Sequence, residues 1–153
     1  MFPPEAPLAT KVVVKHNALN ANMMDELEAT YGLFARDERV RAVVPTGAGR
    51  SFCVGMDLTE GPQGLMQIKE DEVAMEQWKD VGGVIALATS NCIKPTIVPV
   101  NGSAAGFGLT SILSATIRVA WKDAKVSMPF SRRGLTMGSR GAFYLPKLIR
   151  TWP

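Results

Sequence analysis

Residues Lys94 to Leu113, KPTIVPVNGSAAGFGLTSIL, carry the arrangement best suited to chemistry. Gly106, Phe107 and Gly108 follow a run of small residues, Ser103, Ala104 and Ala105, where a backbone can approach a ligand or another segment closely. Leu109, Ile112 and Leu113 then fall at helical spacing, so a helix is expected to begin beside the glycines. The N–H groups of its first turn have no partner inside the helix, and they favour a phosphate, a carboxylate or a developing oxyanion. The same residues also fit a close-packed strand–helix corner with no ligand. Gly106 to Ser111 reads G-x-G-x-x-S, short of a dinucleotide fingerprint, and no acid stands about 20 positions on to hold a ribose; Asp123 comes too early.

Positioning this stretch requires strands and helices on both sides of it. Thr96, Ile97, Val98 and Val100 form a β-branched run suited to a buried strand, and Asn101-Gly102 is a turn dipeptide. Before it, Lys11–Lys15 is a strand candidate and Asn17–Asn20 a turn. Asn20 is placed to cap a helix reaching Arg36, whose apolar face is Met24, Leu27, Tyr31 and Phe34. Val40–Thr46 is a strand candidate in which Pro45 removes a ladder donor. Ser51 to Leu58 is an apolar run interrupted by Gly55 and closed by Asp57, and Pro62 and Gly64 mark a loop. Asp71–Asn91 is expected to be helical, with a break at Gly82-Gly83. Later come a strand at Ile117–Ala120, a turn at Trp121–Asp123, extended chain at Ala124–Met128 and a loop at Gly134–Gly138. Ser139 is expected to cap a last helix through Leu148. Strands alternating with helices argue an α/β or ββα-type layered core.

The 153 residues fit one domain with a real core, and 46% hydrophobic with 20% charged residues opposes disorder. A net charge of +3 suits an anionic small ligand but gives no basic stripe for nucleic acid. Arg132, Arg133, Arg140, Lys147 and Arg150 fit a solvated basic face better than a phosphate site. Cys53 and Cys92 are far apart, with no C-x-x-C or histidine partner, and are expected to be reduced, small apolar residues; no metal site is expected. His16 is the only histidine, and without a G-x-S-x-G elbow it is expected at a strand end or on the surface. No apolar run reaches membrane-span length, and the N-terminus does not have the form of a signal peptide.

Several segments in order carry a resemblance to a known family: Asn17-Ala18-Leu19-Asn20, Arg41 to Val44 continuing through Gly47 to Leu58, the Lys94–Leu113 unit, Lys125–Pro129, and Leu145-Pro146-Lys147-Leu148. Over Asn17 to Ile149 the chain resembles the crotonase superfamily, which includes the enoyl-CoA hydratases and isomerases. Pro129-Phe130-Ser131 is more similar to the isomerase branch, often peroxisomal. The resemblance implies an α/β (α+β) spiral of ββα units over residues 17–153, preceded by a short extension at 1–16. It implies an acyl-CoA substrate, with coenzyme A arriving as part of that substrate and no separate cofactor, and a homotrimer or hexamer.

The family chemistry passes through an enolate whose oxygen is held by two backbone N–H groups, such preorganised donors contributing a few kcal/mol each. Carried over, these are the amides of Met56 and Phe107. Val54, Gly55, Met56, Asp57 and Leu58, with Gly106 and Phe107, would receive the thioester and the coenzyme. The departures are specific. The hydratase glutamates match Thr110 and Phe130, and the isomerase glutamate matches Gly138. Turnover is therefore expected far below that of an intact family enzyme, with Asp57 and Asp123 the nearest carboxylates in sequence. The alternative reading is a pseudoenzyme that only binds acyl-CoA or joins intact paralogues. The chain reads as truncated, ending at Pro153 where the family continues into helices that build a trimer, and its last residues are not the S-K-L address.

Overall fold

The computed structural model describes residues 15–60 and 80–149. Residues 11–14 of the first strand candidate, the loop at Pro62 and Gly64, and residues 71–79 of the expected long helix lie outside them. Lys15 opens a 3-10 turn, Lys15–Asn17, instead of closing a strand. Helix α1 runs Ala21–Arg36, and Asn20 caps it through its side-chain oxygen, which accepts from the Met23 N–H at 2.9 Å. Met24 and Leu27 pack against the core and Tyr31 is buried, so the apolar stripe faces inward. Helix α2 is Val81–Asn91, so Gly82-Gly83 falls in its first turn.

The strands are β1 (Ser51–Cys53), β2 (Ile97–Val100), β3 (Ser103–Ala105), β4 (Ile117–Ala120) and β5 (Val126–Ser127). They form two parallel sheets, β1-β3-β5 and β2-β4. Asn101-Gly102 joins β2 to β3, and Trp121–Asp123 lies between β4 and β5, yet the members of each pair belong to different sheets. Each pass of the chain thus gives one strand to each sheet, and the next pass pairs with it in parallel. Ser51 lies opposite Ser103, Ala104 opposite Val126, and Ile97 opposite Ile117. This is the expected spiral of ββα units. Its core gathers Leu19, Phe52, Ile85, Val98, Val100, Phe107 and Ile112.

Some expectations need correction. The strand at Val40–Thr46 reduces to one parallel bridge between Val43 and Thr96, in which Val43 donates to Pro95 O and Ile97 donates to Val43 O, both at 2.9 Å. Pro45, with no N–H, does not extend it. Pro99 is accommodated in β2 by the same circumstance. N–H groups two residues apart face the same neighbour, so position 99 faces the Val43 edge, where pairing has already ended.

The helix after Gly106 is shorter than its apolar spacing suggests: α3 is only Phe107–Thr110. The helical bonds run from Thr110 N–H to Gly106 O at 3.0 Å and from Ser111 N–H to Phe107 O at 2.8 Å. Beyond them the Leu113 N–H turns to Thr110 O at 3.3 Å, and Ser114 Oγ donates to Ser111 O at 3.4 Å, a local bond that competes with helix propagation. Arg118 takes up freed carbonyls, reaching Leu113 O at 3.1 Å. The last helix, α4, is Gly141–Ile149. It opens on the Arg140 carbonyl, which accepts from the Tyr144 N–H at 3.0 Å, so Ser139 stands one residue before the cap position.

Phe143, Leu148 and Ile149 of α4 are exposed, and Leu145 is half-buried. Exposed apolar side chains such as these promote association. The isolated chain is expected to self-associate; sedimentation showing a sharp monomer at high concentration over days would count against it. Among the described residues, no helix is long and apolar enough to cross a membrane.

Candidate functional site

The parallel pairing of β1 with β3 carries the chain out of both strands at the same end. After β1 it turns at Gly55, φ 105°, and after β3 at Gly106, φ 52°, a region glycine enters without the Cβ penalty. The two turns touch. A Cβ on Gly55 would stand 3.2 Å from the Ala105 carbonyl oxygen, and one on Gly108 would overlap the Cys53 carbonyl. No side chain separates residues 53–55 from residues 105–108.

The backbone groups around these turns are largely paired. Leu19 donates to Gly55 O and Asp57 to Leu19 O, each at 2.7 Å, and Gly106 donates to Ser127 O at 3.0 Å. The N–H groups of Met56 and Phe107 find no acceptor among the described residues. Phe107 opens α3, so its N–H has no partner inside the helix.

Val54, Met56 and Leu58 are exposed apolar side chains beside this feature. Asp57 is held by Thr59, whose N–H and Oγ1 donate to Asp57 Oδ1 at 3.0 and 2.7 Å. The Phe107 ring turns the other way, into the core. There it lines a cavity of about 350 Å³ with Leu27, Tyr31, Phe34, Phe52 and Ile112.

Side chains at the opposite end brace β1. Asn101 Oδ1 accepts from Gly47 N–H and its Nδ2 donates to Gly49 O, both at 3.0 Å. Asn17, buried, donates through Nδ2 to Ser51 O at 2.8 Å. His16 is exposed, as expected, and its Nδ1 lies 3.2 Å from Ser51 Oγ. This is not a nucleophile pair. Arg50 can only donate to His16 Nε2, at 3.2 Å, so the neutral ring carries its proton on Nδ1 and donates to Ser51. A catalytic histidine would have to accept there.

Both cysteines are free thiols, Cys53 buried and Cys92 half-exposed. Burial pushes the Cys53 thiol above its ordinary range, so its thiolate is scarce at neutral pH. Alkylation of the folded chain followed by mass spectrometry is expected to mark Cys92 first and Cys53 only after denaturation. Prompt double labelling would contradict the burial.

A family model described as enoyl-CoA hydratase/isomerase matches residues 12–151. The chain belongs to this family. It is 41% identical over 133 residues to an enoyl-CoA hydratase of Alternaria alternata, a match covering 87% of this chain and 43% of that protein. It is 33% identical over 135 residues to the 1,2-epoxyphenylacetyl-CoA isomerase of Escherichia coli, covering 86% of this chain and 50% of the relative. A solved structure from Mycobacterium abscessus, assigned as an enoyl-CoA hydratase/isomerase, superposes with a TM-score of 0.73 at 34% identity, over 88% of this chain and 51% of that one. The chain thus spans about half the length of the curated relatives it matches.

Thr110, Phe130 and Gly138, the positions that the resemblance sets against the family glutamates, lie around the Gly106 turn. Phe130 Cζ stands 3.9 Å from a Cβ built on Gly106, and Phe130 Cε1 stands 4.0 Å from one built on Gly138. Thr110 is fully buried, with its hydroxyl turned onto Gly106 O. None of the three carries a carboxylate. Of the acids singled out from sequence, Asp57 is engaged by Thr59, and Asp123 is exposed with its Oδ2 3.8 Å from Lys122 Nζ. The carboxylate that does reach this corner is Asp80, which sequence reasoning missed. Its Oδ2 accepts from the Ser139 N–H at 2.7 Å. The available signal was an aspartate two residues before the helix break expected at Gly82-Gly83, within a stretch read only as helix.

Proposed function

We propose that this chain binds an acyl-CoA thioester and stabilises its enolate between the backbone amides of Met56 and Phe107. The observation that carries the reading is the contact of the two glycine turns: their following N–H groups have no acceptor among the described residues and belong to segments in direct backbone contact. Donors fixed by strand pairing and a helix start need no reorganisation as charge develops on a carbonyl oxygen. The exposed surfaces of Val54, Met56 and Leu58 suit the apolar and adenine parts of a coenzyme, with Gly55, Asp57 and Gly106 shaping the backbone around them. Coenzyme A enters as part of the substrate.

A second reading, a binder without turnover, is favoured by the side chains at Thr110, Phe130 and Gly138, none of which can exchange a proton with the substrate.

Calorimetric titration tests the first reading. A saturable isotherm is expected with an acyl-CoA and none with NAD; the reverse pattern would overturn it. A 3-ketoacyl-CoA adds a direct readout, because its enolate has its own near-ultraviolet absorbance. That band is expected to grow on binding.

A further inference from the structure

Asp80 immediately precedes α2, where an aspartate ordinarily turns its carboxylate onto an amide of its own helix. Asp80 makes no such side-chain cap. Its carbonyl accepts from the Val84 N–H at 3.0 Å, while its carboxylate reaches across to the segment before α4, where Oδ2 accepts from the Ser139 N–H at 2.7 Å. A Cβ added to Gly138 would meet Oδ2 at 3.7 Å and Oδ1 at 3.8 Å. By ordinary bond lengths the carboxylate oxygens of a glutamate lie about 3–3.7 Å from their own Cβ. The Asp80 carboxylate therefore lies about as far from position 138 as the carboxylate of a glutamate there would.

The surroundings place that carboxylate in the same corner as the Gly106–Phe107 turn. Gly82, two residues on, is buried so closely that a Cβ there would overlap Ser139 Oγ and stand 3.1 Å from Phe107 Cδ2. Phe130 closes the other side, its ring edge touching both the Gly138 and the Gly106 positions. Oδ1 has no donor among the described residues, and the residue is exposed, so this oxygen is available to a substrate.

We propose that Asp80 is the proton-transferring carboxylate of this site, a role that rests on the enolate reading above. Asp80 Oδ1 takes the proton from the carbon next to the thioester carbonyl. The C–H electron pair becomes the enolate double bond, and the carbonyl π pair moves onto oxygen, where the N–H groups of Met56 and Phe107 hold it. The carboxylic acid swaps its proton with solvent and returns one to the same carbon, giving exchange, or passes its proton to the γ-carbon of an enoyl chain, moving the double bond. Charge and atoms balance, with solvent water the only other participant.

The test is hydrogen exchange at the α-carbon of an acyl-CoA in deuterium oxide, followed by NMR, with calorimetric binding of the same thioester alongside. The unaltered chain is expected to exchange. Asp80→Asn, which keeps an acceptor for the Ser139 N–H, is expected to lose about 10²-fold or more of the exchange rate while still binding the thioester. Asp80→Ala, which empties the space of that carboxylate, is expected to lose as much. Adding Gly138→Glu to Asp80→Ala is expected to restore exchange, because the new carboxylate can then reach that space; Gly138 has only ordinary contacts around the added Cβ. The proposal is overturned if Asp80→Asn exchanges like the unaltered chain, or if the unaltered chain binds thioester without exchanging it. It also falls if the double variant stays as slow as the single one, which would make Asp80 a support for the Ser139 loop. A chain that binds no thioester overturns the enolate reading and this one with it.

Discussion

Replacing Gly108 by alanine is expected to destabilise the chain by about 3 kcal/mol, at the upper end of ordinary overpacking costs. For a domain of this size that corresponds to roughly a 6–12 °C fall in melting temperature. Local rules give the opposite sign. Gly108 lies in α3 with no positive φ, and glycine to alanine inside a helix normally stabilises by roughly 0.5–1 kcal/mol. The tertiary contact decides. The added methyl would overlap the Cys53 carbonyl oxygen and stand 2.8 Å from Cys53 C and Cβ, mostly backbone that cannot swing aside. Gly32→Ala is the control. In α1 its methyl meets only the end of the Arg36 side chain, at 3.6 Å, so the propensity gain should appear unopposed. Thermal melting of the two variants reads the difference in sign, and a Gly108→Ala chain melting at or above the unaltered one would show that β1 and α3 do not touch as described.

The second large effect is on the enolate. Met56→Pro deletes one proposed donor while leaving the bridge to Leu19 its partners. The Met56 side chain is 45% exposed, and the bridge to Leu19 uses the Gly55 carbonyl and the Asp57 N–H, which proline at 56 leaves in place. Removing one oxyanion donor costs about 10²–10³-fold. The enolate-to-keto ratio of a bound 3-ketoacyl-CoA is expected to fall by that factor in Met56→Pro. Met56→Ala, which keeps the N–H, should leave it unchanged. A folded Met56→Pro chain with the unaltered enolate band would remove Met56 from the site.

Much of the fold was legible because it is local. Asn20 caps α1 through bonds to residues a few positions away, and the α1 stripe follows from a period the helix itself imposes. The β-branched run before Asn101-Gly102 became β2 and its turn. The recurrence of such units, together with the motifs at Gly55 and Gly106, sufficed to identify the family and the spiral.

What sequence could not decide was through-space adjacency. Val40–Thr46 has strand composition, yet it pairs only at Val43, because a strand exists where a neighbour supplies partners and Pro45 offers no donor. Leu109, Ile112 and Leu113 keep helical spacing, yet the Leu113 N–H turns to Thr110 O, and the Ser114 hydroxyl and the Arg118 guanidinium bind carbonyls that propagation would need. The contact of Gly55 with Ala105 follows from the parallel pairing of β1 with β3, segments far apart in the chain. The same holds for the carboxylate. Sequence left Thr110, Phe130 and Gly138 without an acid, and only folding brought Asp80, at the start of α2, beside Gly138, because hydrogen bonding to the Ser139 amide acts across space and leaves no spacing along the chain.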